Sequence, residues 1–280
     1  MKYLAKALRS RYWTPGFDYK KFIVHVLSRI GVRDGDIVVL SEKAISVAEG
    51  NIVDESKIKP GILARLIARI WMRYIWGYIL GILCRLSWRT IHNLRKYPVE
   101  LGARHKQLVI EKVGPLASLC FGSEGGIDVT NLPYSYASLP LKDPVKTAEE
   151  IRDAIRKYLG KDLTVVIIDS DRCYSWRSFC ISPRKTFVKG IKSGGIFAYV
   201  LGNALGLRSS PTPVAFSGSI MSLEELLKIS RIAEKMRGFG AGRDVWEMAR
   251  RFGTTIDGVT WSMLMSIPHY PIVLIRRAVD

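Results

Sequence analysis

Two stretches of this chain carry residues able to do chemistry. Gly125-Gly126-Ile127-Asp128-Val129-Thr130-Asn131-Leu132-Pro133 is a glycine-hinged loop that presents a carboxylate and an amide. Further on, the apolar run Val165-Val166-Ile167-Ile168 passes straight into Asp169-Ser170-Asp171. That is the pattern of a buried strand whose C-terminal tip opens onto a site. Carboxylates from two separate loops, brought together, form an all-oxygen site suited to a hard divalent cation such as Mg²⁺ or Mn²⁺. Each residue also has a plain structural use. Asp128 can cap a turn and Asn131 can accept a left-handed backbone, both common roles. Asp169 at a buried strand end is harder to explain away, because a carboxylate there needs a cation or a base beside it.

The elements that would position these residues read as an α/β protein. Asp36-Ile37-Val38-Val39-Leu40 is a short buried strand after a Gly-Asp turn, and Phe22, Ile23, Val26, Leu27 and Ile30 precede it at helical spacing. Leu108 to Lys112 fits either a strand or a helix end. Asp143-Pro144 opens a helix with a capping aspartate and a proline at the first helical position; Val145, Ala148, Ile151, Ile155 and Leu159 continue it, and Gly160 stops it. The strand expected to end at Asp169 follows at once. Ser222-Leu223-Glu224-Glu225 is a capping box for a helix running to about Arg237. A further helix from Asp244 to Arg251 and a last strand over Pro271 to Ile275 close the chain.

Composition bounds the partners. With 43 Lys and Arg against 25 Asp and Glu, the formal net charge of the 280 residues is +18, which favours anionic, phosphate-bearing ligands. The basic residues are spread along the chain rather than gathered in an arm, so a nucleic-acid partner is not expected. An apolar fraction of 48% with 24% charged residues excludes a disordered chain. Cys84, Cys120, Cys173 and Cys180 form no CxxC pair, so reduced thiols of a cytoplasmic protein are expected, with a Cys173–Cys180 bridge left open. Met1 to Arg11 is basic but lacks the apolar core of a signal peptide. The segment from Ile62 to Trp88 is dense in Ile, Leu, Trp and Tyr, yet Arg65, Arg69, Arg73 and Arg85 interrupt it. No membrane span is expected. The leading reading is helices buried against the body or a partner subunit, with a lipid-facing helix as the lesser alternative.

Taken in order, these blocks resemble the family of coenzyme F420-0:gamma-glutamyl ligases. Asp34 to Gly50 is similar to the family's strand followed by an (S/T)-x-K-x-x-S-K-A-E-G turn. Gly126 to Pro133 resembles its G-V-D-x-S-N loop. The helix from Thr147 to Tyr158, with Val165 to Arg177, resembles its I-R-x-x-I … V-I-x-S-D-T-x-G-x-x-W-R segment. The resemblance implies a two-part mixed-sheet α/β (α+β) ligase fold forming an intertwined homodimer. It also implies addition of L-glutamate to coenzyme F420-0, or a similar acidic acceptor, through an acyl phosphate, with GTP as co-substrate and Mg²⁺ or Mn²⁺, and K⁺ as a further cation. By position, Asp128 and Asp169 would be the catalytic metal ligands, with Ser170 where the family has a metal-binding threonine. Ser10, Arg11, Tyr12, Trp13, Glu42, Lys43 and Asn131 would contact GTP. A main domain is expected over residues 1–207, with an aromatic helical insertion at about 62–95, and a C-terminal segment over 208–280 packed upon it.

The departures point to a divergent member. Val47 stands where the turn has its second lysine. One extra residue lies between Asp169 and Trp176, which leaves Asp171 arguable as the ligand, although Asp169-Ser170 mirrors the family's Asp-Thr better. Ser266 to Tyr270 replaces a late loop containing glycine and glutamate. Lys43 is evenly balanced between a phosphate contact and a solvated lysine. Arg177 leans towards a structural role, His105-Lys106 and His269 towards surface or satisfied side chains, and Gly240-Ala241-Gly242-Arg243 is a weak phosphate-loop match. Two rivals remain: a ligase with another nucleotide, amino acid or acceptor, and a non-catalytic basic protein binding nucleic acid or an anionic membrane.

Overall fold

The computed structural model describes residues 2–177 and 179–278. Its centre is a seven-stranded sheet. The strands are β1 (Tyr3–Ser10), β2 (Ile37–Ser41), β5 (Thr164–Trp176), β6 (Phe179–Ser182), β7 (Ile191–Ser193), β8 (Arg208–Ser217) and β9 (His269–Arg277), while β3 (Ile52–Asp54) and β4 (Tyr136–Ser138) form a separate ribbon. The main sheet runs β1-β9-β2-β5-β6-β7, and β8 pairs along the other side of β5. β2 and β5 are parallel, and β9 lies antiparallel between β1 and β2, so β1, β2 and β5 all point the same way. The last strand therefore sits inside the sheet, and residues 208–280 supply two of its seven strands. The boundary expected at 207/208 has no counterpart in this sheet.

Both faces of β2 and β5 are covered, which is why their sequences are continuous apolar runs rather than alternating ones. On one face, Val38, Leu40, Val165 and Ile167 pack with Ile23, Leu27, Ile151 and Ile155. These belong to α1 (Tyr19–Ile30) and to the helix Pro144–Leu159. On the other, Ile37, Val39, Val166 and Ile168 meet Leu226, Ile229 and Ala233 of the helix Leu223–Arg237. Burying each such side chain stabilises the fold by roughly 1.5–3 kcal/mol.

The helices read from caps and periodicity lie where expected, over Tyr19–Ile30, Pro144–Leu159, Leu223–Arg237 and Val245–Arg251, and others join them. After α1 come α2 (Glu42–Ala48), α3 (Ile62–Leu83), α4 (Trp88–Arg95) and α5 (Val99–Lys112), so Leu108 to Lys112 is a helix end. In α6 (Pro144–Leu159) Asp143 accepts from the Lys146 amide at 3.0 Å, and Gly160 closes the helix at φ 62°, a conformation glycine adopts without strain. α7 is Gly195–Ala204; α8 (Leu223–Arg237) is capped by Ser222 as its capping box requires; α9 is Val245–Arg251 and α10 is Trp261–Met265. All four cysteines are buried and free.

Two expectations change. β5 does not end at Asp169 but continues to Trp176. Asp169 pairs with Thr212 and Arg172 with the adjacent Pro211, so Ser170 and Asp171 are extra residues bulged out of the ladder. The abrupt shift from apolar to acidic residues marks that bulge rather than a strand end. The aromatic segment is also less buried than expected. α3, π-helical from Ile67 to Leu80, packs Ala68, Met72 and Trp76 inward, but only one side of it is covered. By length and composition alone it could cross a bilayer.

Candidate functional site

Because β1, β2 and β5 are parallel, their carboxyl ends share one edge of the sheet, the place where open α/β sheets bind ligands. Ser10 to Trp13 leave β1 there, Glu42 and Lys43 leave β2, and in β5 Asp169 is followed by the Ser170-Asp171 bulge. The loop from Gly125 to Pro133 closes over this edge, anchored by Asp128 pairing with Ser138 of β4. Between them lies a cavity of about 750 Å³ whose wall includes Tyr12, Trp13, Lys43, Asp128, Asn131, Asp169 and Ser170. Ser10, Arg11 and Glu42 stand off that wall. Ser10 accepts from the Trp13 indole at 2.8 Å, and Arg11 turns outward to stack on Phe17.

Cationic side chains already attend the acidic ones. Lys43 ion-pairs with Asp128 and donates to the Thr130 carbonyl at 2.9 Å. Arg184, 3% exposed, bridges Asp169 and Glu42, reaching Glu42 Oε1 through Nη2 at 2.9 Å. Burial pushes the Glu42 carboxyl up and Asp169 adds to that, while Arg184 opposes it. Gly126 passes directly over the guanidinium: at φ 93°, a Cβ there would lie 2.7 Å from Arg184 Cζ. The glycine hinge thus serves a close approach as well as a turn.

Other charges on the wall are incompletely satisfied. Asp171 Oδ2, Glu234 Oε1 and Arg237 Nη1 are buried without a hydrogen-bond partner. Burial and the neighbouring Asp169 drive the Asp171 carboxyl well above its ordinary range, and burial lowers Arg237. Orphaned carboxylate oxygens at a mouth lined by Asp128 and Asp169 fit a hard divalent cation. Among the described residues no cluster of three or more His, Cys, Asp or Glu forms a ready-made metal cage.

Asn131, at φ 57°, holds the facing glycine loop. Its amide donates to the Phe239 and Gly242 carbonyls at 3.2 Å each and accepts from the Ala241 amide. Gly238, Gly240 and Gly242 line the cavity, so this glycine run is part of the site although it follows a helix rather than a strand. Tyr12 donates to the Asn131 carbonyl and stacks on His269 at 4.8 Å. Burial depresses His269 to about 4, assisted by the charges of Arg237 and Lys43, so it stays neutral near pH 7.

A second buried network fixes the root of the loop. His105 reaches Glu55 at 2.7 Å and Glu124 at 3.3 Å, and Lys106, fully buried, donates to the Cys120 carbonyl and to Glu124. Burial opposes the charge on His105, but Glu55 and Glu124 overcome it and hold the imidazolium up to about 10. Glu124 falls to about 2, because Lys106 and His105 outweigh its burial.

Comparison with known proteins follows the same lines as this geometry. Residues 7–199 match the family described as F420-0:Gamma-glutamyl ligase, which covers the β1, β2 and β5 tips and the Gly125–Pro133 loop. The chain belongs to the F420-0:gamma-glutamyl ligase family. It is 36% identical to an uncharacterized protein of Methanocaldococcus jannaschii over 97% of this chain and 96% of that one. It is 30% identical to the coenzyme F420:L-glutamate ligase of the same organism over 52% of this chain and 51% of the other, and 25% identical to that of Methanopyrus kandleri over 56% and 54%. The chain thus spans about half the length of these named ligases.

Within this family fold, sequence reasoning missed Arg184, Glu234, Arg237 and the placement of His269. Arg184 sits in an unpatterned Ser182-Pro183-Arg184-Lys185 stretch, and only the sheet topology carries it to Asp169. Glu234 and Arg237 read as ordinary members of a capped helix. A signal did exist: they precede the glycine run directly. Arg177, at φ 53°, lies over the Trp176 ring.

Proposed function

We propose that the chain is an acid–amino-acid ligase that uses GTP and a divalent cation to add L-glutamate to an acidic acceptor of the F420-0 type. The observation that carries this reading is the convergence of Asp128, Lys43 and the Asp169–Asp171 bulge on one cavity at the carboxyl edge of a family-typical sheet. Joining a carboxylate to an amine is uphill in water, so the acid is activated first. An acceptor carboxylate oxygen attacks the terminal phosphorus, the P–O bond to the nucleoside diphosphate breaks, and an acyl phosphate forms. The glutamate amine, as its free base, then attacks the acyl carbon, inorganic phosphate leaves, and the nitrogen loses a proton. Such chemistry needs charge neutralisation, alignment and exclusion of water rather than a His or Cys nucleophile.

The wall offers groups for each task. Lys43, Arg237 and Arg243 supply positive charge for phosphate oxygens. The glycine loop held by Asn131 leaves room for a triphosphate to approach the backbone. When bound, a divalent cation neutralises phosphate charge, and Asp128 with a bulge carboxylate would hold it. The grip of Arg184 on Asp169 supports Asp171 as that second ligand. Calorimetry with Mn²⁺ and GTP tests the assignment: Asp128→Ala is expected to weaken binding by about tenfold or more, the scale of losing a charge-assisted contact. Asp171→Asn and Asp169→Asn then separate the two bulge carboxylates. Unchanged affinity in all three variants would falsify the site.

A second reading has its own support. Methanocaldococcus jannaschii carries both a named ligase and the uncharacterized full-length relative. With Val47 in place of a lysine, this favours a paralogue acting on a different acceptor, amino acid or nucleotide. Mass spectrometry of products from a matrix of nucleotides, amino acids and carboxylate acceptors separates the two.

A further inference from the structure

The segment between Glu55 and Glu100 contains nine Lys and Arg and no Asp or Glu. Within it α3 turns a row of large apolar side chains to solvent at every fourth residue: Ile62, Leu66, Ile70, Tyr74, Tyr78 and Ile82, with Ile62 80% exposed. Arg65 and Arg69 lie beside that row, exposed, and Arg73 is half-buried. Trp88 and Arg89 follow, also exposed, with Trp88 at 73%. α7 packs against the same helix, the Trp76 and Tyr199 rings lying 5.6 Å apart, and turns Phe197, Leu201 and Leu205 outward. Exposed apolar rows of this extent mark an interaction surface.

We infer that this face docks in the plane of a lipid bilayer with anionic headgroups. Three observations select that occupant. Apolar side chains flanked by arginine, with Tyr74 and Tyr78 within the row and Trp88 beyond its end, match the acyl–headgroup boundary in both polarity and charge. A second copy applied to the same face would bring arginine rows together, with Glu100 at the segment's edge already paired to Arg65 at 2.6 Å, a costly arrangement. A spanning helix is excluded by packing: Ala68, Met72 and Trp76 are fully buried, Trp76 donates to the Leu119 carbonyl at 2.8 Å, and Arg95 donates to the Gly77 carbonyl at 2.9 Å. The helix lies on the membrane with its inner side still holding the protein. An acidic acceptor made or held at a membrane would then be met by an enzyme already stationed there.

The test is co-flotation of the full chain with vesicles of phosphatidylcholine alone and of phosphatidylcholine with phosphatidylglycerol. The protein is expected to float with the anionic vesicles and to be released by salt. Ile70→Glu with Tyr74→Glu should abolish flotation. Arg69→Gln and Arg89→Gln should each weaken it roughly fivefold. All four positions are exposed, so thermal unfolding should be unchanged and serves as the folding control. Failure to float with either vesicle overturns the proposal, as does flotation that both sets of variants leave intact. So does light scattering that finds a dimer broken by the Glu pair with no vesicle binding, which assigns the face to a second copy. None of these outcomes depends on nucleotide turnover, so failure here leaves the ligase reading standing.

Discussion

The cavity at the sheet edge and the outer face of α3 both rely on arginine, and they use it in opposite ways. Arg184 is buried, bonded to two carboxylates, and has a glycine backbone laid across it. Arg69 is exposed beside apolar neighbours. In the first setting the charge is a structural member whose loss strands its partners; in the second it is available to whatever arrives. Low dielectric, rather than residue type, makes the difference.

The sharpest way to break that contrast is to remove each charge in turn. Arg184→Leu leaves Glu42 and Asp169 buried without compensation and should cost about 3–5 kcal/mol by urea unfolding, whereas Arg69→Gln should stay within about 0.5 kcal/mol. Equal effects would show that the two settings do not differ as described. Gly126→Ala sharpens the same point through the backbone. A methyl group at φ 93° would press on the guanidinium, so a loss of about 1–3 kcal/mol is expected, with weakened nucleotide binding measured by calorimetry.

The third effect is a slope. His105 has its pKa raised from 6.5 to about 10, so its contribution is complete below 6.5 and disappears as pH rises through 10. Glu124, lowered from 4.5 to about 2, contributes fully above 4.5 and loses that contribution as pH falls through 2. Wild-type thermal stability should therefore decline between about pH 6.5 and 10, the window set by those His105 values. His105→Gln should flatten that decline; a decline of the same slope in the variant would sever it from this imidazole.

Much of this was legible in the chain because the signals are local. Asp143-Pro144, Ser222 to Glu225 and Gly160 place helix ends through contacts within one turn, and the runs at Val38 and Val165 report burial on two faces. The bulge at Ser170-Asp171 was not legible, because it is set by pairing with Pro211 and Thr212 on a strand remote in sequence. Arg184 escaped for the same reason: its partners lie 15 and 142 positions away. The row on α3 was visible as a pattern, but which side the body covers, through Ala68, Met72 and Trp76, emerges only from the packing.

The position of β9 has a consequence for how the molecule comes into being. Its residues 269–277 separate β1 from β2, so those two strands have no direct ladder between them and are joined only through a strand more than 200 residues later in sequence. The sheet is completed only when β9 is in place, which makes its assembly a long-range event. Removing residues 269–277 would not trim an edge but take out a middle plank, depriving β1 of its ladder.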